Sequence, residues 1–479
     1  MISLTDILTL LPESFLTVAI CALLLLDLFL KPGQRSITHY LAIAVLGVTG
    51  WLVLQHYGAP RAFGGMFVRD GIADVLKVFL LLTTALVFVY ARPYLRDRGL
   101  FVGEYYILSL FAVLGMMLLV SAGSMVMIYL GLELLALSSY ALVALNRDSP
   151  LSSEAAMKYF VLGALASGML LYGMSMIYGA TGTLDLDKIH AAAAATPQRG
   201  MLLFGVVFVV VGIAFKFGAA PFHMWLPDVY QGAPTAVTAF IGSAPKLAAF
   251  GMAYRMFESG LGSVGPYWQQ MLAVLAVMSL AIGNIAAIMQ SNLKRMLAYS
   301  TISHVGFLLL GLVNGQPAGY AAAMFYAISY ALTAAAAFGM ILLLSRAGFE
   351  SEEIDDFKGL NQRAPWYAFL MALVMFSLAG VPPLFGFFGK LLVLKAAVDA
   401  GALWLAIVGA VFAIIGIYYY LRVVKVMYFD GADDASALPP VADAPVRTLI
   451  SINALALLVL GLTWGPLYGW CARALGIAQ

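Results

Sequence analysis

Val211-Gly212-Ile213-Ala214-Phe215-Lys216-Phe217-Gly218-Ala219-Ala220-Pro221 is an apolar run with a lysine near its end and a Gly-Ala-Ala-Pro break directly after it. Proline removes a backbone donor and clashes with the preceding turn, so a helix reaching Pro221 must stop and free its last carbonyls. In lipid such a break is tolerated only against protein or a water-filled cavity. The stretch therefore predicts a membrane helix broken inside a bundle, beside a cation. A second stretch, Ser377-Leu378-Ala379-Gly380-Val381-Pro382-Pro383, is followed by Phe385-Gly386-Phe387-Phe388-Gly389-Lys390-Leu391, with the break first and the lysine after it. A proline kink is common in membrane helices, but a kink with a lysine twice in one chain is much less so.

The rest of the chain supplies the membrane. Of 479 residues, 63% are hydrophobic and 10% charged, against roughly 25% charged in an ordinary globular protein. A mean hydropathy of +0.95 excludes a soluble enzyme, a disordered chain and a β-barrel, whose strands alternate apolar and polar residues. With 26 basic and 24 acidic residues, there is no electrostatic footprint for nucleic acid. Cys21 and Cys471 stand far apart with no Cys-x-x-Cys pair, which argues against an iron–sulfur cluster or thiolate zinc site. His39, His56, His190, His223 and His304 are scattered singly. No Gly-x-Gly-x-x-Gly opens a helix, and Gly386–Lys390 is no phosphate loop, because its glycines are too close and Leu391 replaces the Ser or Thr. Without a basic start, and with Asp6 and Glu13, the first apolar run reads as a retained span. No redox or nucleotide chemistry is expected in this chain.

The predicted fold is all-α and polytopic. Apolar runs lie at 8–30, 38–57, 74–92, 104–121, 123–145, 154–179, 200–218, 235–256, 267–289, 294–314, 318–345, 365–395, 402–428 and 448–470, about fourteen spans. An even count puts both termini on one side. The linkers after odd-numbered runs hold about twice as many Lys and Arg as the others, so both termini are expected to be periplasmic in a bacterial cytoplasmic (inner) membrane. The longest polar linkers, 58–73, 180–199, 346–364 and 430–447, are too short for a soluble domain. Acidic Ser351–Gly359 is expected as a short surface helix.

An internal echo organises the chain. Ala155-Ala156-Met157-Lys158-Tyr159 returns as Ala322-Ala323-Met324-Phe325-Tyr326, Gly173-Met174 as Gly339-Met340, and the Pro221 region as Pro382-Pro383. Three matches in order predict two five-helix repeats, each with a broken helix. An odd helix number inverts the second against the first, as in transporters. The expected units are residues 1–100, an N-terminal three-helix segment; 101–257, the first repeat; 258–430, the inverted second; and 431–479, a C-terminal helix.

Ionisable groups inside spans are functional candidates by default. Glu133 lies mid-span, with a structural ion pair as the alternative. Lys216 and Lys246 have no easy water-facing escape, and Lys390 follows the double proline. Lys158 is about one turn inside its span, where reaching the interface or pairing with Glu154 are the alternatives. His304 closes the polar run Tyr299-Ser300-Thr301-Ile302-Ser303, with core hydrogen bonding as the alternative; His223 could equally anchor a span end. Lys77, Asp27, Lys395 and Lys425 read as interfacial anchors. A lysine passes protons on only where desolvation weakens its hold, and a carboxylate restores that hold. Varying the Glu133–Lys216 distance would then switch Lys216 between keeping and releasing a proton. Lys216, Lys246, His304 and Lys390 suit H⁺ better than Na⁺, which wants oxygen ligands.

Phe215–Pro234, with Gly131-Leu132-Glu133, Ser291–His304 and Ser377–Pro383, resembles the antiporter-like, proton-translocating membrane subunits of respiratory complex I, over nearly the whole chain. Within that family the chain is most similar to the N-type. It lacks the lateral helix of the L-type, has Lys390 where the M-type is expected to carry glutamate, and has the polar run Tyr418-Tyr419-Tyr420-Leu421-Arg422. The resemblance implies that Glu133, Lys158, Lys216, Lys246 and Lys390 are the family's ionisable positions. It implies other membrane-arm subunits as partners, including the lateral helix of the L-type. It also implies flavin and iron–sulfur clusters in partner subunits, and a quinone used by the complex but not bound here. The alternative is an Mrp-type cation/proton antiporter subunit.

Overall fold

The computed structural model describes residues 3–55, 58–431 and 443–477. His56 and most of the 430–447 linker lie outside them. The described chain is helical almost throughout. It begins with α1 (Leu4–Thr9), α2 (Leu11–Asp27), α3 (Ser36–Leu54), α4 (Gly71–Asp97), α5 (Gly103–Val120), α6 (Met125–Val143), α7 (Pro150–Thr181) and α8 (Leu186–Ala195). Then come α9 (Arg199–Phe217), α10 (Trp225–Gly232), α11 (Thr235–Ile241), α12 (Ala244–Tyr254), α13 (Gly265–Ile288), α14 (Leu293–Val313) and α15 (Pro317–Leu344). The last are α16 (Leu360–Arg363), α17 (Pro365–Ala379), α18 (Phe385–Asp399), α19 (Leu403–Phe429), α20 (Ala444–Leu462) and α21 (Trp464–Ala474). Among the described residues the only strands, Arg61–Ala62 and Phe67–Val68, pair antiparallel before α4.

Twelve of these helical segments are long and apolar enough to cross a membrane. The two other expected runs give shorter pieces: 8–30 yields the 17-residue α2, and 365–395 yields α17 and α18 either side of the second break. Side-chain caps start many of the long helices. Ser124 accepts from Met127 N, Asp70 from Ala73 N, and Asn292 from Arg295 N, each satisfying a donor that has no partner within the helix. Proline occupies the first turn of α7, α13, α15, α17 and α20, where its missing N–H is not needed.

Burial locates the centre. The hydrophobic window of α15 is wholly buried, and Thr235–Gly260 and α14 nearly so, whereas α7, α19 and α20 keep most of theirs on the outside. Alanine-rich stretches such as Ala321–Ala323 and Ala334–Ala337 let neighbours approach α15 closely. Lys246 and His304 therefore sit on the most enclosed helices.

Two expectations are refined or changed. Ser351–Gly359 forms a surface helix shorter than expected, a single 3₁₀ turn at Ile354–Phe357, which buries Ile354 and Phe357 and leaves Glu353 and Asp355 exposed, with Glu353 bridging to Asn292. Lys77 is no interfacial anchor. It is 1% exposed and meets Glu13, 2% exposed, at 2.7 Å, because its face of α4 turns inward under the Phe67 ring. Lys395 and Lys425 do stay exposed, beside Asp399 and Asp430.

Candidate functional site

The first break begins where α9 ends at Gly218, whose φ of 77° is a left-handed cap that only glycine adopts cheaply. Three of the freed carbonyls, those of Ala214, Phe215 and Phe217, find partners nearby. Gly218 N reaches Phe215 O and Ala219 N reaches Ala214 O. Trp225 Nε1 donates to Phe215 O at 3.0 Å. The Lys246 ammonium, on α12, donates to Phe217 O at 2.8 Å. On the far side of the gap, Ala220 N donates to Ser279 Oγ on α13.

The second break repeats this solution. Helix α17 ends at Gly380, φ 85°, and Val381 N returns to Phe376 O. Lys390 Nζ donates to Leu378 O at 2.9 Å and to Ala379 O at 2.8 Å. Gly386 N donates to Ser377 Oγ. At each break, then, a buried lysine closes the carbonyl end of the first arm. Lys246 is 3% exposed and Lys390 7%. The negative end of a helix dipole favours an ammonium there. In both breaks the X–Pro bond, Ala220–Pro221 or Pro382–Pro383, is cis.

This geometry refines the pairing of the two lysines read from sequence. Lys216 lies before its break and Lys390 after. Ten residues beyond Gly218 stands Asp228, and ten beyond Gly380 stands Lys390. The partner that closes the first break comes from another helix. Lys216 itself is half-buried and faces a cavity of about 10 Å³ with Tyr140, Ser167 and Phe215.

Between the breaks lies a small chamber bordered by polar side chains. It is a second cavity of about 10 Å³ with an almost wholly apolar surface, against Phe217, Lys246, Thr301, His304, Tyr326 and Tyr330, among others. His304, 7% exposed, has a phenol on each ring nitrogen: Tyr326 at 2.6 Å on Nδ1 and Tyr420 at 3.0 Å on Nε2. Tyr420 also meets Ser300 Oγ at 2.5 Å, and Thr301 meets Tyr330 at 2.7 Å. Asn284 joins Ser303 and Tyr419. Hydroxyls and imidazole both donate and accept, so this set can pass a proton along itself. Among the described residues no cluster of three or more His, Cys, Asp or Glu is placed to hold a metal ion.

Not every candidate joins this centre. Glu133 is half-buried on α6; its Oε1 is enclosed with no hydrogen-bond partner, and it forms no ion pair within 4.0 Å with Lys216. Lys158 is exposed on the isolated chain and held by Glu154 and Asp228, each at 2.8 Å. Asp228 also binds Arg295, at 2.8 Å. His223 is half-buried near the Tyr299 ring. Sequence reading missed Tyr326 and Tyr330, which pass as bulk in an apolar helix, and Trp225, whose stacking on Tyr159 at 4.5 Å crosses between helices. It also missed Lys294, which is buried and bonds Ala233 O at the end of α10. A linker position hid it.

Broken helices closed by buried lysines within a multi-span bundle define an antiporter-like membrane protein. Residues 122–416 match the family described as NADH:quinone oxidoreductase/Mrp antiporter, TM, and the chain belongs to that family. More particularly, it is 57% identical to NADH-quinone oxidoreductase subunit N of Xanthomonas euvesicatoria, covering 98% of this chain and 96% of that one. It is 55% identical to the subunit of the same name from Thiobacillus denitrificans, over 97% of each. Among solved structures it is similar to a chain of respiratory complex I from Thermus thermophilus with bound aureothin, at 32% identity and TM-score 0.81, covering 96% of this chain and 99% of that one. The Mrp complex from Dietzia sp. DQ12-45-1b shares the fold, at 23% identity and TM-score 0.83, covering 99% of this chain and 97% of that one.

Proposed function

We propose that this chain is the N-type proton-translocating subunit in the membrane arm of a bacterial NADH–quinone oxidoreductase. Lys216, Lys246, His304 and Lys390 relay protons, with Glu133 and Lys158 at the approach to Lys216. Electron transfer belongs to other subunits, which hold the flavin and iron–sulfur clusters; the quinone is used by the complex and not bound here. The observation that carries this reading is the pair of breaks closed by buried lysines, with the His304 chamber between them. A structural role alone would not explain Lys246 and His304 on the most enclosed helices, Lys390 buried beside the second break, and a His304 whose two ring nitrogens both meet hydroxyls that can exchange a proton.

The same reading takes all fourteen apolar runs as crossings, sets both termini in the periplasm and treats 101–257 and 258–430 as inverted repeats. The neighbouring partners are then other membrane-arm subunits, the bilayer and the lateral helix of the L-type subunit. An Mrp-type antiporter role is supported by the fold alone, whereas the named relatives support the subunit-N role along the whole chain. Proton pumping by the assembled complex carrying Lys216→Ala is the test. Assembly and NADH oxidation by the redox subunits should persist, with pumping lost or sharply reduced. Pumping at the wild-type level would remove Lys216 from the relay.

A further inference from the structure

A cleft of about 290 Å³ opens where α13 and α19 begin and α14 and α18 end, with Gln269, Gln270 and Asn314 among its polar lining and Leu310, Ala397 and Leu405 among its apolar lining. It lies on the line of Lys390. Along α18, Lys390, Leu394 and Ala397 follow one another at helical spacing on one face; along α14, Phe307, Leu310 and Asn314 do the same. At 1.5 Å per residue, the cleft begins only about 10 Å beyond the lysine.

One layer of side chains closes that distance. The Lys390 ammonium sits 5.0 Å from the centre of the Phe307 ring. One turn further, Leu394 and Leu310 converge with Phe307 on Gly409 of α19. A Cβ at Gly409 would meet Leu394 Cδ2 at 2.7 Å, Leu310 Cδ1 at 3.0 Å and Phe307 Cε1 at 3.7 Å. Phe307 and Leu310 are fully buried and Leu394 is half-buried, so the layer is apolar throughout and closed on its α14 side. Beyond it, Asn314 Nδ2 bonds Ala396 O at 2.8 Å and fixes the inner wall of the cleft.

We propose that this cleft is the aqueous mouth serving Lys390, and that Phe307, Leu310 and Leu394, closed on Gly409, are its hydrophobic gate. An apolar constriction of this width holds no continuous water and blocks proton hopping until the side chains part. The glycine lets the two leucines meet; parting them needs only a small shift of α18 against α14 and α19. The gate rests on the relay reading above and adds to it the step at which Lys390 exchanges its proton with water. In that topology the cleft opens on the face that carries the chain termini.

The experiment uses the assembled complex in sealed vesicles, with passive proton conductance measured without turnover and pumping measured with it. Leu310→Ala with Leu394→Ala should raise passive conductance roughly tenfold, and adding Lys390→Ala should abolish the increase. Unchanged conductance, or a leak that survives Lys390→Ala, overturns the gate while the relay stands. Wild-type pumping by Lys390→Ala alone overturns the relay reading, and the gate with it. Should the double variant fail to assemble, single cysteines in a Cys21→Ser background decide. Asn314→Cys should react with a membrane-impermeant thiol reagent in the idle complex, and Phe307→Cys should not. Equal labelling of the two, or none at Asn314→Cys, overturns the gate.

Discussion

Lys246 and Lys390 each give an ammonium to carbonyls that a proline break has freed, and this is why a charge is tolerated so far from water. Their importance is legible in the sequence because charge is scarce, so a lysine inside an apolar run stands out. Their partners are not legible. Phe217 O, Leu378 O and Ala379 O are backbone atoms, and the phenols on His304 come from residues 22 and 116 positions away. Outside the spans, Asp70 caps α4 and meets both terminal nitrogens of Arg255 at 2.7 Å. Burial pushes its carboxyl up, but Arg255 outweighs that and holds it below the ordinary carboxylate range. A depressed value in the folded state means stabilisation that is present above the unfolded value and lost as pH falls through the folded one. Thermal unfolding of the purified complex should therefore show a gap between wild type and Asp70→Asn at neutral pH that narrows below about pH 4.

The broken helices read clearly from sequence, since Gly-x-x-Pro after an apolar run forces a stop. How each break is closed did not read, because it depends on which neighbour faces it. At the first break the closing lysine lies on α12; at the second it lies on the following arm. The register also hides that Asp228, not a lysine, stands ten residues past the first cap, whereas Lys390 stands ten past the second. The caps are the sensitive points. At Gly218 a Cβ would meet Leu226 Cδ1 at 2.3 Å, and at Gly380 it would meet Lys390 Cδ at 2.8 Å. Gly218→Ala should destabilise the subunit by more than 1 kcal/mol, about the strain of a left-handed alanine before the clash is counted. Gly380→Ala should also displace Lys390. Quantifying assembled complex separates the two effects: Gly218→Ala lowers its yield, whereas Gly380→Ala lowers pumping in the complex that does assemble.

At the scale of the molecule, one carboxylate ties the end of α4 to the start of α11 and to the linker after α15. Glu350, in the linker after α15, binds Arg98 past the end of α4 and accepts from Tyr94 at 2.8 Å and from Thr235 Oγ1 at 2.6 Å. These three residues lie 115 or more positions from it, so no local pattern announces the joint. Glu350→Ala should leave Arg98, Tyr94 and Thr235 short of a partner and cost about 3 kcal/mol, within the range for breaking a partly buried charge pair. The check is detergent-induced loosening: protease cleavage near residues 98–103 should become faster in the variant. Of the fourteen apolar runs read from composition, twelve form helices long and apolar enough to cross a membrane; the other two give one short helix and one divided one.

The lysine closures at the two breaks have a mechanical consequence. Each ammonium is at once a stored proton and the clasp on the open end of a helix, so protonation and the fit of the two arms are thermodynamically conjugate. A neutral amine binds those carbonyls less firmly, and a clasp pulled away from them holds its proton on different terms. By reciprocity, whatever moves the arm changes proton occupancy, and whatever changes proton occupancy moves the arm by the same free energy. A shift passed along the bundle from a neighbouring subunit and a proton arriving at Lys390 would thus be two readings of one equilibrium.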